Sequence, residues 1–367
     1  MKIVYCIDSV CRVGGMEIVT IVKANALAKI AGNEVWIVVT DAQSAPIRPL
    51  EGIHLVDLGV NYFTEYYGLT GYYKKNRLHK ERLEKVLNDI KPDVVVATGQ
   101  SEKNFLPSLQ LVSKPLLIRE MHIEKFYRLR EKARNVKERI SRWLSQQYEY
   151  RWKIKGYDYI VVLTEEEKER NWKGWKNVSV MPNPITSVCD VKSTCEAKTA
   201  IAVGRLVEQK DFASLIRIWG KVTEKHPDWR LEIWGKGELE AALRQQIEES
   251  GLEGKVCLMG YTAEALQKMS QASLYLLTSM FEGFGLVLIE AMSVGLPLVS
   301  YMCPTGPKTI IEDGQNGYLV AVGDEKTFAE RVCQLIEDEP LRKQMGQAGL
   351  KESEEYRIED IAQRWMQ

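Results

Sequence analysis

Ser279-Met-Phe-Glu282-Gly-Phe-Gly-Leu-Val-Leu-Ile-Glu290-Ala-Met-Ser-Val-Gly-Leu-Pro297 is the stretch from which the organisation of this 367-residue chain is best read. It follows Ala272–Leu277, an apolar run of the length of one buried strand in a parallel sheet. Gly283 and Gly285 mark a turn, and the run from Leu286 reads as a helix that stops near Gly295-Leu296-Pro297. A strand, a glycine turn and a helix together aim unpaired backbone N–H groups at an anion. Glu282 lies in the turn, and Glu290 falls about one to two turns into the helix. Carboxylates so placed can accept hydrogen bonds from sugar hydroxyls while the amides hold phosphate. Two solvated glutamates on an ordinary strand–helix unit form the competing reading.

Composition sets the outer bounds. The length exceeds what one hydrophobic core usually serves, so two domains are expected. With 45% hydrophobic and 27% charged residues, the chain reads as an ordinary globular protein, without an apolar run long enough to span a membrane. The first residues, Met1–Ile7, look like a strand rather than a signal peptide. Seven scattered cysteines without paired spacing indicate neither a disulfide framework nor a zinc cluster, and a cytoplasmic location is expected. The net charge of zero hides an asymmetry. Residues 1–200 carry 32 Lys and Arg against 24 Asp and Glu, and the remainder carries 18 against 26. A basic front half favours an anionic partner there, and no nucleic-acid motif is present.

Along the first half, strands are predicted at residues 2–8, 35–40, 92–98, 115–118 and 157–164, with a helix over Glu17–Ile30. The first turn, Cys11–Glu17, carries Gly14-Gly15 in place of the G-x-G-x-x-G of dinucleotide dehydrogenases. A glycine pair opening a helix still lets the backbone approach a ligand closely. Arg119-Glu120-Met121-His122 is placed where a strand leaves the sheet, at the carboxyl-end position that ligand sites favour. His54, His79 and His226 sit in loop-like or charged contexts. Glu124–Lys155 holds 11 Lys and Arg against 4 Glu, with Ile140, Trp143 and Leu144 at helical spacing. It reads either as a helix lying on anionic lipid or as one packing its apolar stripe on the domain. Tyr72–Arg77 is a second basic, aromatic patch.

Met181–Ile185 is a rigid, proline-restricted connector, and the polar Ser187–Lys198 reads as a linker. In the second half, strands are expected to end at Gly204, Gly235 and Gly260. Arg205 and Lys210 follow the first of these and could grip phosphate as a fork and a point charge.

Phe281–Pro297 closely resembles the signature of retaining glycosyltransferases of family 4, which have the GT-B fold of two Rossmann-like doubly wound α/β domains facing a cleft. Gly204–Lys210 is similar to that family's G-R-L-x-x-x-K, Gly14–Glu17 to its G-G-x-E, and Glu120–His122 to its E-H pair, with Met121 as a departure. Cys303–Glu312 and Asp313–Val320 also resemble family loops, and the first would bring Thr305 and Gly306 towards the donor sugar.

The resemblance implies an acceptor-side domain over 1–185, joined by a C-terminal helix, 356–367, that crosses back, and a donor-binding domain over 186–355. It implies catalytic roles for His122, Glu282, Arg205 and Lys210. It implies donor contacts from Gly14, Gly15, Arg205, Lys210, Gly235, Met259, Gly283, Phe284, Gly285, Leu286 and Glu290, with Glu290 on the ribose. The expected function is transfer of a sugar from a nucleoside diphosphate, UDP being the expected carrier, to an acceptor hydroxyl with retention of configuration. Surface polysaccharide or glycolipid biosynthesis is the expected setting, with a glycan or lipid-linked acceptor and an anionic membrane surface as candidate partners. No D-x-D triplet occurs, so no metal and no resident cofactor are expected. A nucleotide-sugar epimerase of the same fold and a non-catalytic nucleotide-sugar-binding subunit are the alternatives.

Overall fold

A computed structural model describes the chain except for Val13, Gln43, 63–67 and 126–134, and without the side chains of 68–70 and 72. It forms two compact units, Met1–Pro184 with Ile358–Gln367, and Ile185–Arg357.

The first unit is built on a seven-stranded sheet. Its strands are β1 (Lys2–Ile7), β2 (Glu34–Val39), β3 (Ile53–Asp57), β4 (Val94–Ala97), β5 (Leu116–Glu120), β6 (Tyr159–Val162) and β7 (Val178–Val180). All pairings are parallel, in the order β3-β2-β1-β4-β5-β6-β7. Near-continuous Val and Ile runs produce this because both faces of a parallel sheet are covered. Ile3, Tyr5 and Ile7 pack one face with Ile21, Ala24 and Leu27 of the helix Gly15–Ala28, while Val4 and Cys6 pack the other with Leu83 and Leu87. The helix Ile358–Trp365 belongs to this unit: Ala362 joins its core, and the Trp365 ring lies 6.0 Å from that of Tyr5.

The second unit holds a six-stranded parallel sheet, β10-β9-β8-β11-β12-β13. Its strands are β8 (Thr199–Val203), β9 (Arg230–Trp234), β10 (Val256–Gly260), β11 (Leu274–Leu277), β12 (Leu298–Tyr301) and β13 (Gly317–Val320). Both sheets share one winding, in which strand order reverses beside the first strand of the unit. Ligands of open α/β sheets bind outside the carboxyl ends of the strands at that reversal.

Several expectations need correction. Arg119 and Glu120 lie inside β5 and are buried, so the strand runs two residues further than predicted. His79 lies in the helix Gly68–Ile90, is 2% exposed, and meets Phe105 edge-on at 4.9 Å. His54 lies in β3. The supposed linker is packed on the second unit: Ser193 N donates to Val294 O at 2.7 Å, and Cys195 O accepts from Arg342 Nε at 2.8 Å. Ser193 and Cys195 are buried there, while Asp190, Lys192, Thr194, Glu196 and Lys198 stay exposed. The part of the basic segment at 126–134 and the turn residue Val13 lie outside the described residues.

Candidate active site

In the second unit the strand order reverses between β8 and β11, and the polar residues gather there. β8 ends at Val203, after which Gly204 N donates to Trp234 O (2.9 Å) and Leu206 N to Lys236 O (3.0 Å). These bonds hold the exits of β8 and β9 together. Gly235 has φ +153°, and a Cβ there would stand 1.8 Å from Gly204 O, so glycine alone fits. Arg205 is exposed, and its side chain has no protein partner among the described residues.

Lys210 ends a single 3-10 turn, Glu208–Lys210. Asp211, left-handed at φ 46°, then caps the helix Phe212–Lys225 by accepting from Ser214 N at 3.2 Å. The turn is tied to the end of β11. Thr278 Oγ1 donates to Lys210 O (3.1 Å) and Asp211 O (3.0 Å), Met280 N donates to Gln209 O (2.8 Å), and Gln209 Nε2 donates to Phe281 O (2.8 Å). The result is an ion pair, Lys210 Nζ to Glu282 Oε1 at 2.6 Å, with Glu282 only 7% exposed.

Glu282 is therefore not a solvated surface glutamate. Its carbonyl accepts from Thr305 Oγ1 at 2.5 Å, which fixes the turn against the loop after β12. The helix Leu286–Ser293 starts at Gly285, whose φ of +92° turns the chain sharply into it. Among the described residues no protein acceptor faces the backbone N–H groups of Gly283, Phe284, Gly285 and Leu286, although Phe284 and Gly285 are buried. Buried amides without an acceptor call for a ligand or water. Phe284 is held by the ring of Tyr356 at 5.8 Å. Glu290 Oε1 accepts from Thr186 Oγ1 at 2.9 Å. Met259 is 42% exposed in β10.

The first unit carries its own polar cluster where β1, β4 and β5 end. Asp8 accepts from Gln100 N (3.0 Å) and Ser101 N (3.2 Å), and Arg119 Nη1 donates to Ala97 O (2.8 Å) and Gly99 O (2.7 Å). Glu102 is buried, and desolvation, then the charge of Asp8, pushes its pKa up to about 8. Glu120 pairs with Lys23. Burial works to raise the Glu120 pKa, but Lys23, His122 and Arg119 outweigh it and leave it lowered. His122 Nε2 stands 3.8 Å from Glu120 Oε2, and neither ring nitrogen has a hydrogen-bond partner among the described residues. Burial brings the His122 pKa down to about 4, against the pull of Glu120, so the ring is neutral at neutral pH. Gly14 precedes the helix Gly15–Ala28 without a side-chain cap, and Gly15 is exposed.

The structure thus brings together Lys210, Glu282 and the turn Gly283–Leu286, with Gly235 against Gly204 beside Arg205. Gly14, Gly15 and His122 lie in the other unit. Sequence reasoning missed Thr186, Thr278, Lys23 and Glu102. Thr278 had a signal, a hydroxyl directly after an apolar strand. Lys23 had none, because a lysine within a helix reads as solvated.

Residues 191–352 match the family model described as glycosyl transferases group 1. An uncharacterized glycosyltransferase of Haemophilus influenzae is 28% identical over 370 residues, covering 99% of this chain and 98% of that protein. The amylovoran biosynthesis glycosyltransferase AmsD of Erwinia amylovora is 33% identical over 216 residues, which are 56% of this chain and 60% of AmsD. Among solved structures, TarM of S. aureus in complex with Fondaparinux, alpha-GlcNAc-glycerol and UDP superposes with a TM-score of 0.79 at 17% identity, covering 100% of this chain and 99% of that one. The last likeness shows the GT-B fold.

Proposed function

From a second unit whose residues 191–352 match the glycosyl transferases group 1 model, we propose that the chain transfers a sugar from a nucleoside diphosphate to an acceptor hydroxyl, with retention of configuration and without a metal ion. UDP is the carrier we favour, and surface polysaccharide or glycolipid is the product class. The names of AmsD and of TarM's bound UDP support this reading. Nothing in the relatives' names favours the epimerase or the non-catalytic subunit.

One observation carries the proposal: Lys210 and Glu282 are paired at the strand reversal, beside amides that have no acceptor among the described residues. A diphosphate entering there takes hydrogen bonds from Gly283–Leu286 and competes with Glu282 for Lys210. Arg205 adds a second cation, and Glu290 turns from Thr186 to the ribose hydroxyls. Glu282, released from Lys210, accepts from hydroxyls of the transferred sugar. As the bond from the anomeric carbon to the diphosphate oxygen breaks, charge develops on the leaving group, where Lys210, Arg205 and the amides stabilise it. The acceptor oxygen bonds the same face of the sugar and its proton passes to the leaving phosphate. In the first unit we assign the acceptor side, with neutral His122 as a hydrogen-bonding group.

Incubation with a panel of nucleotide sugars and candidate acceptors in EDTA tests the reading. The account expects turnover in EDTA and, from an α-linked donor, an α-linked product by the anomeric coupling in NMR. A β-linked product, or activity lost in EDTA and restored by magnesium or manganese, would overturn retention or metal independence respectively.

A further inference from the structure

The helix Val136–Tyr148 and the wider turn Glu149–Lys153 after it are attached to the first unit by an unusual face. Gln146, Glu149, Tyr150 and Ile154 point inward: Gln146 Nε2 donates to Lys125 O, and Glu149 pairs with Lys103 at 2.7 Å. The apolar residues point outward instead. Val136 is 69% exposed, Ile140 53%, Trp143 50%, Leu144 55%, Tyr148 57% and Trp152 72%. They recur at three- and four-residue spacing and so form one stripe. Of the two readings the sequence left open, packing of this stripe on the domain is the one the structure removes. An ordinary surface helix buries its apolar face, so a continuous exposed one marks an interaction surface.

Charge identifies the partner. Both acids of 136–155 are engaged, Glu138 with Arg142 at 2.7 Å and Glu149 with Lys103. Lys137, Arg139, Arg151 and Lys155 are exposed, and none has an ion pair among the described residues. A second copy docking through the same patch would set cations against cations. An anionic bilayer supplies both an apolar interior and opposite charge, and Trp and Tyr rings suit its headgroup boundary. No helix among the described residues is long and apolar enough to cross a membrane, so the segment would lie on the surface.

We propose that the stripe Val136, Ile140, Trp143, Leu144, Tyr148 and Trp152 docks this chain on an anionic lipid bilayer, with Lys137, Arg139, Arg151 and Lys155 at the headgroups. The inference rests on the first unit alone and is read without substrate, so its failure would leave the transfer reaction standing. The full chain is sedimented with phosphatidylcholine vesicles that contain or lack phosphatidylglycerol. Binding to the anionic vesicles should be stronger by about tenfold or more and should weaken as salt rises. Trp143→Ser with Leu144→Ser should lower it by about tenfold while the melting temperature stays unchanged, because both side chains are exposed. Lys137→Glu with Arg139→Glu should remove the preference for anionic lipid. Equal partition onto the two vesicles, no partition onto either, or a dimer in ultracentrifugation that the Trp143 and Leu144 changes dissolve would each overturn the proposal.

Discussion

Lys210 and Glu282 were each legible in the sequence, but their contact was not. They are separated by the whole path from β8 to β11, and only the fold closes the distance to 2.6 Å. The contact changes what a single substitution reports. Lys210→Ala removes the proposed phosphate ligand and also leaves a carboxylate that is 7% exposed without its counter-ion. Destabilisation of about 1–3 kcal/mol is expected in urea titrations, the range for stranding a buried polar group. Lys210→Met combined with Glu282→Gln should regain most of that stability and none of the turnover. If the double variant also regains turnover, the pair is structural and the phosphate role fails. His122 shows the opposite case: its type and position were readable, but its burial and neutral state follow from packing under Arg119, Lys23 and Glu120.

Among the elements, those that build the second-unit site were the most legible. Buried parallel strands are apolar runs, and the glycine turns after β8, β9 and β11 punctuate them. The helix Gly68–Ile90 and the edge strands β3 and β7 were missed for physical reasons. The helix is densely charged, so its buried stripe at His79, Leu83 and Leu87 is masked, and Tyr72–Arg77 drew notice only as a basic patch. β3 is largely exposed and lacks an apolar run, whereas β7 is three residues long. The join between β8 and β9 makes an element-scale prediction. Gly235→Ala forces a Cβ to 1.8 Å from Gly204 O. The strands must separate there, at a cost of about 2–4 kcal/mol, carrying Arg205 away from the site. Melting curves and UDP titration should both deteriorate; an alanine variant with wild-type melting and affinity would contradict this account of the turn.

At the scale of the molecule, two sheets of the same winding each place a polar cluster at the strand reversal, and burying these clusters makes stability depend on pH. Burial lowers the pKa of His79 and His122 from 6.5 to about 4. The unfolded chain therefore takes up protons that the folded one refuses, and stability is lost as pH falls through that window. Glu120, lowered from 4.5, adds to the loss at the acid end. Glu102 is raised from 4.5 to about 8, so the folded chain keeps a proton the unfolded one has released, and stability declines as pH rises through that window. Burial raises Glu167 in the same sense. Urea midpoints should accordingly peak near about pH 6.5, and Glu102→Gln should flatten the alkaline side. A midpoint that keeps rising to about pH 8 in the wild type would contradict the buried-acid account. The central claim, that the strand reversal of the second unit holds a nucleoside diphosphate, is tested most directly by calorimetric titration of UDP into the wild type, Glu290→Ala and Glu282→Gln. The account predicts binding by the wild type, a loss of about tenfold or more for Glu290→Ala, since a hydrogen bond to a charged group is worth about 1.5–3 kcal/mol, and a smaller change for Glu282→Gln. UDP affinity untouched by Glu290→Ala but abolished by Glu282→Gln, or no UDP binding at all, would contradict it.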